Sequence, residues 1–151
     1  MNKTYSIKPS DITRTWYIID ADSELTLGRI AAEAAKLLLG KGKAQYSSHI
    51  DCGDYVIITN ASKLKVTGKK LDHKSYYRHS GHPGGLTSRT LREQMDRDPS
   101  RVIELAVKGM LPANKLLTDR LKRLKVYIDN EHPHAPQSPV MLNLVKGKQD
   151  K

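Results

Sequence analysis

"WYIIDADSELTLGRIAAEAAKLLLGKGKAQYSSHIDCGDYVII", residues 16 to 58, decides the fold. It opens on Trp16-Tyr17-Ile18-Ile19-Asp20, a short β-rich run, and closes on Tyr55-Val56-Ile57-Ile58, which is continuously apolar, as strands covered on both faces are. Between them Leu27, Ile30, Ala31, Ala34, Leu37 and Leu38 recur on one helical face, with Arg29, Glu33 and Lys36 opposite. Thr26 is placed to cap this helix and Gly40 to end it, leaving Lys41 and Lys43 in the connection beyond. Strand, helix and strand in this order predict an α/β fold: a small, mostly parallel sheet flanked by helices.

Downstream, Leu64-Lys65-Val66 and the segment from Lys74 to Arg78 flank the turn Thr67-Gly68-Lys69-Lys70. This predicts an irregular hairpin insertion with two exposed cations in its turn. Helices follow it. Asp98 is a cap with Pro99 at the first helical position, and Val102, Ile103, Ala106, Val107 and Met110 keep helical spacing until Pro112. A third helix turns Leu117, Leu121 and Leu124 inward, and Leu124 to Ile128 reads as the last strand. The run from His132 to Pro139 carries three prolines spaced by three, which favours an extended C-terminal arm over about 131–151. No internal repeat is visible. With 151 residues the chain is long enough to bury about 68 to 70% of its unfolded surface, so a single domain with a compact core over about 14–130 is expected.

The charge balance narrows the partner. There are 26 Lys and Arg against 16 Asp and Glu, a formal net charge of +10, which points to a polyanion, with nucleic acid ahead of an anionic membrane surface. Apolar runs such as Leu37 to Leu39 and Val56 to Ile58 fall far short of the roughly 20 residues of a membrane-spanning helix. The opening MNKTYSIKPS has neither the apolar stretch of a secretory signal nor the character of a transit peptide, so a cytoplasmic location is expected. Cys52 is the single cysteine, which excludes an internal disulfide and a cysteine-based metal cage.

Catalytic and metal chemistry find little support. His49-x-x-Cys52 with His79-x-x-His82 supplies four potential zinc ligands, but structural zinc usually rests on more than one thiolate and the separation matches no finger pattern. His132-x-His134 is split by Pro133. A Cys52 nucleophile with His49 or His79 would need a third group to orient the base. Gly40-Lys-Gly42-Lys43 lacks the spaced first glycine and the following Ser or Thr of a phosphate loop. The pairs Asp51 and Asp54, or Asp20 and Asp22, sit where capping and turn formation explain them. No enzyme, no metal, no cofactor and no small-molecule substrate are expected.

Basic groups instead recur along loops and helix ends: Lys41 and Lys43, Lys69 and Lys70, Lys74 and Arg78 beside Tyr76, then Arg120, Lys122, Arg123 and Lys125. Such groups grip phosphates, while tyrosine, histidine and arginine planes stack on unpaired bases, which is how structured RNA is commonly held. "YYRHSGHPGG", residues 76 to 85, concentrates these types, and Gly81, Gly84 and Gly85 suit close backbone approach to a sugar-phosphate chain. If Lys74 to His79 is extended, Lys74, Tyr76 and Arg78 share one face and Ser75, Tyr77 and His79 the other. The face with two cations is the expected RNA face, with Tyr77 used for packing.

Six ordered blocks carry a family resemblance: "WYIIDAD", "LGRIAAEAAKLLLGK", "HIDCGDYVIITNA", "YYRHSGHPGG", "VKGMLP" and "LKVYIDNEHPHAPQSP". In order and spacing, from about Trp16 to Pro139, they resemble the bacterial-type large-ribosomal-subunit protein family thirteen. The resemblance implies a compact α/β fold, no catalysis, binding to large-subunit ribosomal RNA early in subunit assembly, and neighbouring ribosomal proteins as partners. It marks Tyr76, Tyr77, His79, Gly81, His82, Gly84 and Gly85 as the loop against RNA, and Lys108, Gly109, Met110, Leu111 and Pro112 as a second signature. The block around Cys52 is carried by His49, Asp51, Gly53 and Asp54, which favours a plain packing role for the thiol. One departure is visible: Leu117 and Thr118 stand where relatives usually have Gly-Arg, with Arg120 as the candidate replacement for that arginine. The expected RNA-contacting set thus also includes His49, Lys108, His132 and His134. A stand-alone nucleic-acid-binding regulator is the second reading and a metalloenzyme the third.

Overall fold

The computed structural model describes residues 6–22, 25–142 and 144. In chain order its elements are β1 (Trp16–Asp20), α1 (Leu27–Leu39), β2 (Tyr55–Thr59), α2 (Lys70–His73), β3 (Ser75–His79), β4 (Leu86–Thr90), α3 (Leu91–Arg97), α4 (Pro99–Met110), α5 (Leu117–Lys122), β5 (Leu124–Val126) and β6 (Val140–Met141). Four strands form a parallel sheet in the order β5-β2-β1-β6, and β3 with β4 forms a separate antiparallel pair. The α/β class with a mostly parallel sheet is therefore as the sequence predicts.

Strand alternation divides the main sheet into two faces. Register sets Ile19 opposite Ile58 and Val56 opposite Leu124. This side packs on Ile30, Ala31, Ala34 and Leu38 of α1 and on Val102, Ile103 and Val107 of α4, forming the core. The other face presents Trp16, Ile18, Tyr55 and Ile57, and the chain after β5 returns across it. Trp16 stacks on Tyr55 at 4.2 Å between ring centroids, and His134 lies 5.0 Å from Trp16. The described part of the arm then joins the sheet edge, where Leu142 N donates to Ile18 O at 2.9 Å. Residues 143 and 145–151 of the expected arm lie outside the described residues.

The sheet thus ends with β6 and not with the segment from Leu124 to Ile128, whose strand stops at Val126. A two-residue strand behind three prolines has no alternation to read. Gly40 ends α1 in the left-handed region (φ +73°), its N–H donating to Leu37 O. Thr26 holds the N-cap position without a side-chain cap bond; its backbone instead bridges Lys65.

The hairpin also differs in its partners. The strand from Ser75 pairs with Leu86–Thr90, Tyr76 opposite Arg89, and not with Leu64 to Val66. The reversal lies where Gly81 and Gly84 adopt φ of +92° and +74°, a backbone that glycine takes without a Cβ penalty. Lys69 and Lys70 therefore sit at the start of α2 and not in a hairpin turn. Thr90 begins α3 with a capping box: its Oγ1 accepts from Glu93 N at 3.3 Å while its own N donates to the Glu93 carboxylate at 3.0 Å. Asp98 caps α4, accepting from Arg101 N at 3.1 Å, with Pro99 at the first turn as the sequence predicts. Leu117 and Leu121 of α5 are half-buried against the core, while Leu124 is buried from β5. Among the described residues no helix is long and apolar enough to cross a membrane.

Candidate nucleic-acid interface

The hairpin positions the aromatic, histidine and glycine loop of the predicted site, from Tyr76 to Gly85. Its tip is closed by short local bonds: Ser80 N to Gly85 O at 3.1 Å, Gly85 N to His82 O at 2.9 Å, and Gly81 N to His79 Nδ1 at 2.9 Å. A Cβ on Gly85 would fall 2.1 Å from Ser80 Oγ and 2.9 Å from the backbone carbonyl of His82, so a side chain there would force the tip to shift. At Gly81 and Gly84 nothing lies within 4 Å of a Cβ position, and their positive φ values account for glycine there. Arg78, His79 and His82 are exposed around this turn, and Lys69, Lys70 and Lys74 are exposed at its base.

The two tyrosines exchange their expected roles. Tyr76 is half-buried and packs on the core, whereas Tyr77 is 71% exposed. The reason is tertiary: the face of β3 carrying Tyr76 is the one the core reaches, so alternation sends Tyr77 to solvent. Lys74 Nζ stands 5.2 Å from the Tyr76 ring centre, a cation–π contact on the side expected to meet RNA. The Tyr76 hydroxyl is buried without a hydrogen-bond partner among the described residues, and burial pushes its pKa up.

Between the hairpin and α3–α4 lies a cleft of about 940 Å³. Tyr76, Arg78, Arg89, Gln94, Arg97 and Arg101 contribute to its walls. Arg89, Arg97 and Arg101 were not legible as site residues, because the pairing of Tyr76 with Arg89 and the packing of two short helices bring them together. A second cleft of about 490 Å³ carries Lys70, Lys74, Gly109 and Met110, joining the base of the hairpin to the "VKGMLP" signature. Lys108 is exposed beside it.

The loop after α1 behaves differently. Lys41 and His49 are exposed. Lys43 is half-buried, its Nζ 2.6 Å from Asp54 Oδ1 and 2.7 Å from Thr13 O, so much of its bonding capacity serves the fold. Arg120 and Arg123, expected as surface cations, are 1% and 6% exposed. Arg123 forms a two-bonded pair with Asp51, and Arg120 Nε lies 3.5 Å from Asp51 Oδ1. They are counter-charges in the interior, and Arg120 does not replace the missing Gly-Arg arginine at the surface. Lys122 is exposed but paired with Asp119 at 3.0 Å.

Lys125, His132 and His134 gather on the second sheet face. The Tyr127 hydroxyl and His134 Nε2 are 2.9 Å apart, and the Tyr127 ring lies 6.3 Å from His132. Burial, then the charges of Lys125 and His132, hold the His134 imidazole below its usual pKa. Both histidines are half-buried, with packing roles that the sequence does not announce. Cys52 is buried, its Sγ 3.8 Å from Gln45 O. Among the described residues no cluster of three or more His, Cys, Asp or Glu side chains could hold a metal ion.

Comparison with known proteins finds a match between residues 14–133 and the family model described as "Ribosomal protein L13". A "Large ribosomal subunit protein uL13" of Symbiobacterium thermophilum is 51% identical over 144 residues, covering 95% of this chain and 100% of that protein. The protein of the same name from Thermobifida fusca is 54% identical over 147 residues, covering 97% and 98%. That of Thermotoga maritima is 52% identical over 144 residues, covering 95% and 96%.

Proposed function

The chain belongs to the ribosomal protein L13 family, a structural and non-enzymatic family, and from that membership we propose that it binds large-subunit ribosomal RNA and supports an early step of subunit assembly. As a large-subunit ribosomal protein it resides in the cytoplasmic ribosome. Its partners are ribosomal RNA and neighbouring ribosomal proteins.

The observation that carries the reading is the exposed hairpin: Tyr77, 71% exposed, stands among Arg78, His79 and His82 on a chain of net charge +10. An aromatic left in water beside two imidazoles, with the Arg78 guanidinium on the opposite face of the same strand, suits a base stack with phosphate contacts nearby. Lys41, His49, Lys69, Lys70, Lys74 and Lys108 extend the surface available to phosphates. Gly81, Gly84 and Gly85 keep the tip narrow enough for close backbone approach. Lys43 and the half-buried Lys125, His132 and His134 contribute mainly to the fold, while Lys122, exposed and paired only with the exposed Asp119, adds a cation at the margin of the surface.

The test is binding of the full chain to purified large-subunit ribosomal RNA across a salt series. The reading expects affinity to fall steeply with salt, each neutralised phosphate adding roughly 0.7 to 0.9 to the logarithmic slope. It also expects the protein in the earliest large-subunit precursors after a pulse label. Equal affinity for small-subunit RNA at every salt concentration, or entry only into finished subunits, would contradict it.

A further inference from the structure

We propose that the cleft between the β3–β4 hairpin and α3–α4 is a pocket for one unstacked nucleotide of the bound RNA, with Gln94 as the residue that reads its base. This rests on the RNA-binding reading above and adds to it a specific subsite.

Three observations converge on the cleft. Its volume, about 940 Å³, leaves room for a nucleotide and falls within the range of built small-molecule sites. Gln94 lines the same wall: the residue is 8% exposed, and its amide, which takes part in no side-chain hydrogen bond among the described residues, is not sealed off but remains open to the cleft. The Tyr76 hydroxyl on the same wall is buried and has no hydrogen-bond partner among the described residues. Buried hydroxyls are nearly always hydrogen-bonded, and Tyr76 supplies one without a partner beside a glutamine amide that only solvent meets, so the cleft wall has polar capacity for a ligand offering donors and acceptors.

The charges around the opening select the class. Arg89, Arg97 and Arg101 line the cleft, against one carboxylate, Asp98, whose Oδ1 caps the start of α4; Arg101 Nη1 is 2.8 Å from Glu104, which leaves Arg89 and Arg97 as the cations free of a carboxylate among the described residues. Planar guanidinium groups match phosphate oxygens. A nucleobase edge sets a donor beside an acceptor, the pattern a glutamine amide matches in two bonds. Phosphate at the rim and base within satisfy both sets of groups, which a neutral peptide strand would not.

The test uses the full chain bound to large-subunit ribosomal RNA, with chemical probing of base edges. Gln94→Leu keeps the buried volume and removes the amide; Tyr76→Phe keeps the ring and removes the hydroxyl. The parent protein should protect one base on its pairing edge. That base should become reactive in the Gln94→Leu complex while the remaining footprint is kept, and affinity should drop roughly five- to a hundredfold. Melting curves establish that each variant is folded, and should Gln94→Leu fail to fold, Tyr76→Phe carries the test with the same readouts. Footprints and affinities identical to the parent in every folded variant would overturn the pocket while leaving RNA binding intact. If the parent protects no RNA at all, the RNA reading falls and the pocket with it. Free nucleoside monophosphates at millimolar concentration should not raise the melting temperature; if they do and no RNA base is protected, the site is one for a free nucleotide and the proposal is wrong.

Discussion

Asp51 and Arg123, 72 positions apart, form the ion pair that fastens the loop before β2 to the start of β5, with Arg123 Nη2 at 2.6 Å from Asp51 Oδ1. Arg123 also donates to the carbonyls of Leu38 and Asp54, so one side chain ties α1, the loop and the sheet together. Replacing Asp51 by Asn leaves two interior guanidinium groups without a counter-charge. Denaturant unfolding of Asp51→Asn should show a loss of about 3 to 5 kcal/mol. Arg120→Met should be neutral or stabilising, because Arg120 is 1% exposed, its Nε and Nη1 have no hydrogen-bond partner among the described residues, and Asp51 keeps Arg123 as its counter-charge.

The same carboxyl sets part of the acid limit. Burial pushes its pKa up, but the hydrogen bond and charge of Arg123, the Gly53 N–H and the Arg120 charge together hold it below 3.8. A carboxyl whose folded pKa is depressed stabilises above its unfolded value and loses that contribution as pH falls towards the folded one. Melting temperature should therefore fall as pH drops below 3.8, and this part of the fall should be missing in Asp51→Asn.

Two glycines predict opposite outcomes. A Cβ on Gly53 would sit 1.8 Å from Leu38 O, inside the junction that Arg123 reinforces, so Gly53→Ala should cost about 3 kcal/mol in unfolding experiments. Gly109 in α4 has nothing within 4 Å of a Cβ position, and Gly109→Ala should gain about 0.5 to 1 kcal/mol.

The β1–α1–β2 unit was legible because the apolar spacing of α1 and the uninterrupted strand runs are local signals. The chemistry of Arg120 and Arg123 was not. Nothing near either residue distinguishes a surface cation from an interior one until Asp51 is brought across the fold. Tyr76 and Tyr77 show the same limit: alternation correctly separated their faces, but which face the core covers depends on where α3 and α4 pack. The hairpin partner was missed because Leu64 to Val66 is closer in sequence than Leu86 to Thr90, while the glycines that make the reversal come later. β6 carries too few residues to announce itself.

The hairpin tyrosines should separate by stability and binding. Tyr76→Ala should lower the melting temperature, since the ring packs on the core. Tyr77→Ala should melt like the parent and lose about 1 to 3 kcal/mol of RNA affinity with an unchanged salt slope, as removal of a base stack does. Arg78→Ala should reduce the slope by roughly 0.7 to 0.9 for each phosphate that its guanidinium neutralises in the parent. Affinity across a salt series, with melting curves beside it, checks all three.

His134 makes the arm sensitive to mild acid. Its folded pKa is depressed below 6.5 by burial and by the charges of Lys125 and His132, so the unfolded chain takes up its proton first. The contribution is present above pH 6.5 and is lost as pH falls through the folded value. Melting temperature followed from about pH 8 to 5 should decline in the parent and decline less in His134→Gln.

Residence in the large subunit is tested most directly by sedimentation of the full chain in cell lysate through a sucrose gradient, under magnesium conditions that separate the subunits. The protein should migrate with the large subunit, be absent from the small-subunit fractions, and stay with the large subunit through a salt wash. A protein that remains at the top of the gradient while intact large subunits migrate below it would contradict the assignment and favour a stand-alone nucleic-acid-binding regulator.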